Sequence, residues 1–228
     1  MGRTRSTIPP SPVRSRATIP ASIPAPQATR RRPAIDGRRG PVVVGLTGGI
    51  GSGKSEALRA FRRHGAVTRS SDDSVRELYR RDDVRAAVRE HFDPGVIGPD
   101  GEVDRSAVGR IVFADASELR WLEGLLLPLL AEEFRRWRGE SERRGDRLLV
   151  HEVPTLFEAG VDDRYDVILT VTAPASLREQ RRPGARVQMA HQLPEEEKAA
   201  RSDYVYENAG SLEDLDRFVA DLTERLLR

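Results

Sequence analysis

The feature that most constrains this chain is the run Val42-Val43-Val44-Gly45-Leu46-Thr47, followed at once by Gly48-Gly49-Ile50-Gly51-Ser52-Gly53-Lys54-Ser55. Three β-branched residues and a leucine are an apolar run of the kind that makes a buried strand. Glu56-Ala57-Leu58-Arg59-Ala60-Phe61 then reads as the opening of a helix. Gly48 to Ser55 satisfies G-x-x-x-x-G-K-[ST], the pattern of a phosphate-binding loop between a strand and a helix. The glycines let successive backbone N–H groups face one concavity at a helix N-terminus, which holds phosphate oxygens. ATP with Mg²⁺ is therefore the expected cofactor pair. Its expected ligands are Gly49, Ile50, Gly51, Ser52, Gly53, Lys54, Ser55 and Glu56. Lys54 is placed to reach the β- and γ-phosphates, and the Ser55 hydroxyl to bind the metal.

Basic-residue usage sharpens that reading. Of 38 basic residues only Lys54 and Lys198 are lysine. A chain that otherwise uses arginine has kept a compact point charge inside the motif.

The absence of cysteine excludes disulfides, thiolate metal sites and cysteine nucleophiles, and agrees with a cytoplasmic protein. Residues 1–40 carry nine arginines, seven prolines and one acid, Asp36, with no helical or strand period. They are expected to be a disordered tail, because such a segment buries too little apolar surface to offset its ordering entropy. With the whole chain at +2, the remaining residues sum to −6. The basic balance is thus confined to the tail, and neither a nucleic-acid nor a membrane partner is expected. No run approaches the roughly 20 apolar residues of a membrane span.

Residues 41–228 are expected to form one domain. Gly65-Ala66-Val67-Thr68 reads as a second strand, with Asp72 and Asp73 where it gives way to a helix from Ser74. Such carboxyl ends of strands carry ligand sites in open α/β sheets; capping the helix is the plainer role for the two acids. Residues 82–140 read as helical, with Ser117 to Trp137 the longest helix and Pro128 expected to bend it. The stretch about 75–140 is expected to be a helical insertion. Arg147 to Pro154 returns to a buried strand, and its acid, Glu152, is a second candidate metal ligand. Tyr165 to Val171 and Ser202 to Tyr206 are further strands. Between them, about 176–192, Arg178, Arg181, Arg182 and Arg186 make a candidate lid over transferring phosphate. Ser211 to Leu227 is amphipathic and helical. The expected fold is α/β: a three-layer αβα phosphate-loop core on a parallel sheet of about five strands, with a helical insertion and a short lid.

Over about residues 42–227 the chain resembles the dephospho-coenzyme A kinase family. The opening Gly45 to Ser55 is similar, as are Asp72 with Arg76-Glu77, Gly101-Glu102-Val103-Asp104-Arg105 with Val112-Phe113, and Leu122-Glu123 before Pro128. So are Pro154-Thr155-Leu156-Phe157-Glu158, Gln192, and Asp203-Tyr204-Val205 through Asn208 and Gly210. The resemblance implies phosphoryl transfer from ATP to the ribose 3′-hydroxyl of dephospho-CoA, the last step of CoA synthesis. It implies Asp72 as the base, Lys54 and the lid pair Arg178 and Arg182 as catalytic cations, and the helical insertion as the acceptor's seat. The chain departs from the family pattern at Glu56, Ser70 and Leu127. Its segment between Arg182 and Gln192 is also shorter by about five residues. Two alternatives remain open: a kinase of the same fold for another small acceptor, or a weakly active nucleotide-binding relative.

Overall fold

The computed structural model describes residues 40–184 and 192–228. The tail expected over 1–40, apart from Gly40, lies outside the described residues, and so does the part of the lid at 185–191, Arg186 included.

Five parallel strands form one sheet in the order β2-β3-β1-β4-β5. They are β1 Val42–Thr47, β2 Val67–Ser70, β3 Leu148–Glu152, β4 Val167–Thr172 and β5 Tyr204–Glu207. The helices are α1 Lys54–Arg63, α2 Ser71–Tyr79, α3 Asp82–His91, α4 Arg105–Ala114, α5 Ala116–Arg144, α6 Ala175–Arg181, α7 Glu195–Ala200 and α8 Leu212–Leu227. Among the described residues the strand count matches the expectation from sequence.

Side-chain alternation along β1 divides the core. Val42, Val44 and Leu46 face α1 and α8, where they meet Ala57, Phe61, Leu215, Val219 and Leu222. Val43 faces the other way, with Phe134 and Trp137 of α5, Leu149 and Ile168. Both faces are covered, as an all-parallel sheet requires. Gly45 belongs to the second face. A Cβ there would lie 2.6 Å from Leu156 Cδ1 and 2.8 Å from Tyr165 Cγ, so only glycine lets these side chains close over the strand.

A separate apolar cluster joins α2 to α5, with Leu78, Val84, Val88, Val108, Leu122 and Leu126 at its centre. Among the described residues from 82 to 140 no strand forms; one isolated bridge links Ile97 and Val103. The helix α5 is longer than the sequence suggested, 29 residues, and passes through Pro128. Proline removes one helical hydrogen bond there without ending the helix. Arg69 fastens this cluster to the sheet: its Nε donates to Ser74 Oγ at 2.7 Å and its Nη2 to Glu133 Oε2 of α5 at 2.8 Å.

Strand starts fall about two residues later than expected at β2, β4 and β5. β2 begins at Val67 and runs through Ser70, and α2 begins at Ser71. As the sheet's edge strand β2 is half-buried throughout, so it carries no apolar alternation to read.

Candidate active site

The strand register brings the candidate residues together. Glu152, the last residue of β3, pairs with Leu46 of β1 on one side and Ser70 of β2 on the other. Two residues past Leu46 the phosphate loop begins, and two past Ser70 stands Asp72. Three neighbouring strand ends therefore set the loop, Glu152 and Asp72 side by side. They open onto a cleft of about 1010 Å³, lined also by Arg181, Arg182 and Gln192. That volume is at the upper end of single-ligand pockets.

The loop is held open by its glycines and by contacts from the far end of the chain. Gly53, the residue before α1, has φ +103°, a left-handed conformation. A Cβ on it would collide with Asn208 Nδ2 at 2.1 Å. That amide nitrogen donates instead to the Ser52 carbonyl oxygen at 2.8 Å. Among the described residues the amides of Gly51, Gly53, Lys54 and Ser55 donate to no acceptor. Such open donors at a helix N-terminus fit a polyphosphate. The Gly49 amide is engaged by Glu195 Oε1 at 3.1 Å, and the Glu56 amide by the Gly53 carbonyl oxygen at 3.0 Å.

Lys54 is buried, and its Nζ donates to the Gly49 carbonyl oxygen at 2.9 Å across the loop. Burial lowers its pKa, while the charges of Glu152, Asp72 and Glu195 oppose that and Lys198 reinforces it. Burial likewise raises the pKa of Glu152; Lys54 pulls it down, and Asp72 and Asp73 push it further up. The three groups thus form one electrostatic cluster of two carboxylates and an ammonium.

Asp72 is exposed in the first turn of α2 and caps nothing: α2 has no side-chain cap, and Asp73 is paired with Arg76 at 2.5 Å. Ser55 is exposed at the cleft. Among the described residues no group of three acidic, histidine or cysteine side chains gathers to cage a metal. Ser55 and Glu152 offer the cleft one hydroxyl and one carboxyl group, a donor set of the size that Mg²⁺ takes from protein before water and phosphate fill its other positions.

The side chain of Glu56 is turned to Arg59, whose Nε donates to its Oε2 at 3.1 Å, and that hydrogen bond lowers its pKa. Within the arginine run the structure separates the members. Arg182 lines the cleft. Arg178 lies 3.5 Å from Glu195 Oε1, beside Gly49, and does not line it. Arg181, part of the expected lid run but not of its catalytic pair, reaches the Gly51 carbonyl oxygen at 3.3 Å and that of Asn208 at 3.2 Å. Asn208 and Glu195 were also missed as loop partners. Leu127 stands exposed on the cleft wall.

The family model for dephospho-CoA kinase matches residues 42–214. A dephospho-CoA kinase from Frankia casuarinae is 38% identical over 81% of this chain and 83% of its own length. One from Streptomyces avermitilis is 38% identical over 78% of this chain and 91% of its own. Among solved structures, TT1252 from Thermus thermophilus superposes with a TM-score of 0.71 at 33% identity, over 82% of this chain and 98% of that one. The dephospho-CoA kinase from Campylobacter jejuni shares the fold, with a TM-score of 0.64 at 19% identity over 81% and 96%. The family model spans more than half of the chain and the Frankia relative is 38% identical over most of both sequences, so the chain belongs to the dephospho-CoA kinase family.

Proposed function

We propose that this protein transfers the γ-phosphoryl group of ATP to the ribose 3′-hydroxyl of dephospho-CoA, giving CoA and ADP, and that it works in the cytoplasm. The observation that carries the reading is the alignment of phosphate loop, Glu152 and Asp72 on three adjacent strand ends facing one cleft. The open amides of Gly51, Gly53, Lys54 and Ser55 would cradle the donor's phosphates, and Lys54 would turn its ammonium from Gly49 to the β- and γ-oxygens. Asp72, uncommitted to any described partner, would orient the acceptor hydroxyl and take its proton. The hydroxyl oxygen then bonds to the γ-phosphorus as the bond to the β-phosphate oxygen breaks. Ser55 and Glu152 would hold Mg²⁺, whose contribution when bound is to neutralise charge on the phosphates. Arg182, with Arg178 beside the loop, would add to that neutralisation. The helical stretch 75–140 would seat the acceptor.

The test is acceptor-dependent ADP release from MgATP across dephospho-CoA, adenosine, 5′-AMP and simple sugars. Dephospho-CoA is expected to stimulate release at least tenfold over every other acceptor. Equal or greater stimulation by another acceptor would contradict the reading.

A further inference from the structure

The chain keeps two lysines against 36 arginines, and the first is the phosphate-loop lysine. The second, Lys198 in α7, is fully buried, at 0% exposure. Its Nζ lies 2.8 Å from Glu158 Oε1 and donates to the Pro154 carbonyl oxygen at 2.7 Å. The same Glu158 oxygen accepts from the Leu193 amide at 2.8 Å. The same Pro154 oxygen accepts from Thr47 Oγ1 at 3.2 Å, where β1 passes into the phosphate loop. One ammonium therefore ties α7 to the turn leaving β3, two residues beyond Glu152. Through Glu158 it also ties α7 to Leu193, next to the cleft residue Gln192.

The consequence reaches the loop through Glu195, one turn earlier on α7. Glu195 accepts from the Gly49 amide and lies against Arg178. Fixing α7 fixes both. A buried ion pair is an inefficient way to stabilise a fold, since apolar side chains of equal volume often do as well. In a chain that writes nearly every basic position as arginine, a retained buried lysine marks a cage that a planar guanidinium does not fit.

We propose that Lys198 is a positioning residue for phosphoryl transfer. It sets the exit of β3 behind Glu152, and the Glu195 brace on Gly49, without itself touching substrate. Its effect on turnover rests on the functional reading above; its effect on the loop does not.

The test uses the full chain with Lys198→Met combined with Glu158→Met, which removes both charges, and with Lys198→Arg, which keeps the charge but not the fit. Amide exchange at Gly49 and Leu193 is compared with that at Val43 and Leu169 in the core, alongside kcat and KM. In both variants exchange at Gly49 and Leu193 is expected to rise at least tenfold with the core amides unchanged. The kcat is expected to fall at least tenfold, with KM for both substrates within about threefold. If the double variant does not fold, Lys198→Arg, which keeps a charge opposite Glu158, decides alone. A folded variant that keeps wild-type exchange at Gly49, or wild-type kcat, overturns the proposal. Should the wild-type protein not phosphorylate dephospho-CoA, the functional reading fails while the exchange comparison still decides this one.

Discussion

Glu56 follows the Lys54-Ser55 pair, where an acid facing the phosphates would repel them. Its geometry removes the conflict: the carboxylate is bound by Arg59 and the amide is spent on Gly53. Replacing it by glutamine is therefore expected to leave the KM for ATP within about threefold, since an exposed pair of this kind contributes little. A tenfold fall in KM would show that the carboxylate acts on the nucleotide. Asp72 should behave in the opposite way. Asp72→Asn keeps the shape and removes the proton acceptor, and kcat is expected to drop about 10²–10⁴-fold with KM for ATP little changed. Steady-state kinetics on the two variants separate a bystander from a base. Both residues were visible in the sequence, but only the fold shows which of them is free to act. Lys198 left one trace there, its rarity. Glu195 left none, because its partner Gly49 is 146 positions away.

At the scale of elements, the sequence carried the strands as apolar runs, and the helix starts less well. β1 and β4 are almost wholly buried and were placed to within about two residues. The half-buried edge strand β2 was placed two residues too early, and the start of α2 three residues too late. The arginine run illustrates a second limit. The family resemblance pointed to Arg178 and Arg182, and contacts across the chain add Arg181, which meets the phosphate loop and the β5–α8 turn. Asn208 in that turn is the loop's other support, buried and bonded to Ser52 from 156 positions away. Asn208→Ala would leave the Ser52 carbonyl without this donor. It is expected to cost about 1–3 kcal/mol, a fall of roughly 2–12 °C in Tm for a chain of this size. A raised KM for ATP should accompany it. Calorimetric melting together with ATP kinetics checks both; an unchanged Tm would mean that Asn208 is not bracing the loop.

For the molecule as a whole, the parallel order β2-β3-β1-β4-β5 gathers distant segments at one edge of the sheet, which no local pattern in the sequence records. Behind that edge His151 is buried between the sheet and α5 and shares a 2.8 Å hydrogen bond with the Tyr165 hydroxyl. Burial, with the nearby charges of Arg69 and Arg164, lowers its pKa from 6.5 to about 3. A depressed folded pKa means that the unfolded chain binds the extra proton first. The stabilising contribution is thus complete above pH 6.5 and is lost as the pH falls toward 3, by up to about 5 kcal/mol. Urea unfolding between pH 4 and 7.5 should show a steeper acid loss in the wild type than in His151→Gln; parallel curves would contradict this.

In the proposed reaction this cleft moves phosphate from ATP to one hydroxyl of dephospho-CoA, with Lys54 as the charge that makes the step possible. The most direct measurement is ³¹P NMR of the product formed from MgATP and dephospho-CoA by the wild type and by Lys54→Ala. The expected result is a new ribose 3′-phosphate monoester matched one for one by ADP, forming about 10²–10³-fold more slowly with the variant. No 3′-monoester from the wild type, or equal rates from the two proteins, would contradict the claim.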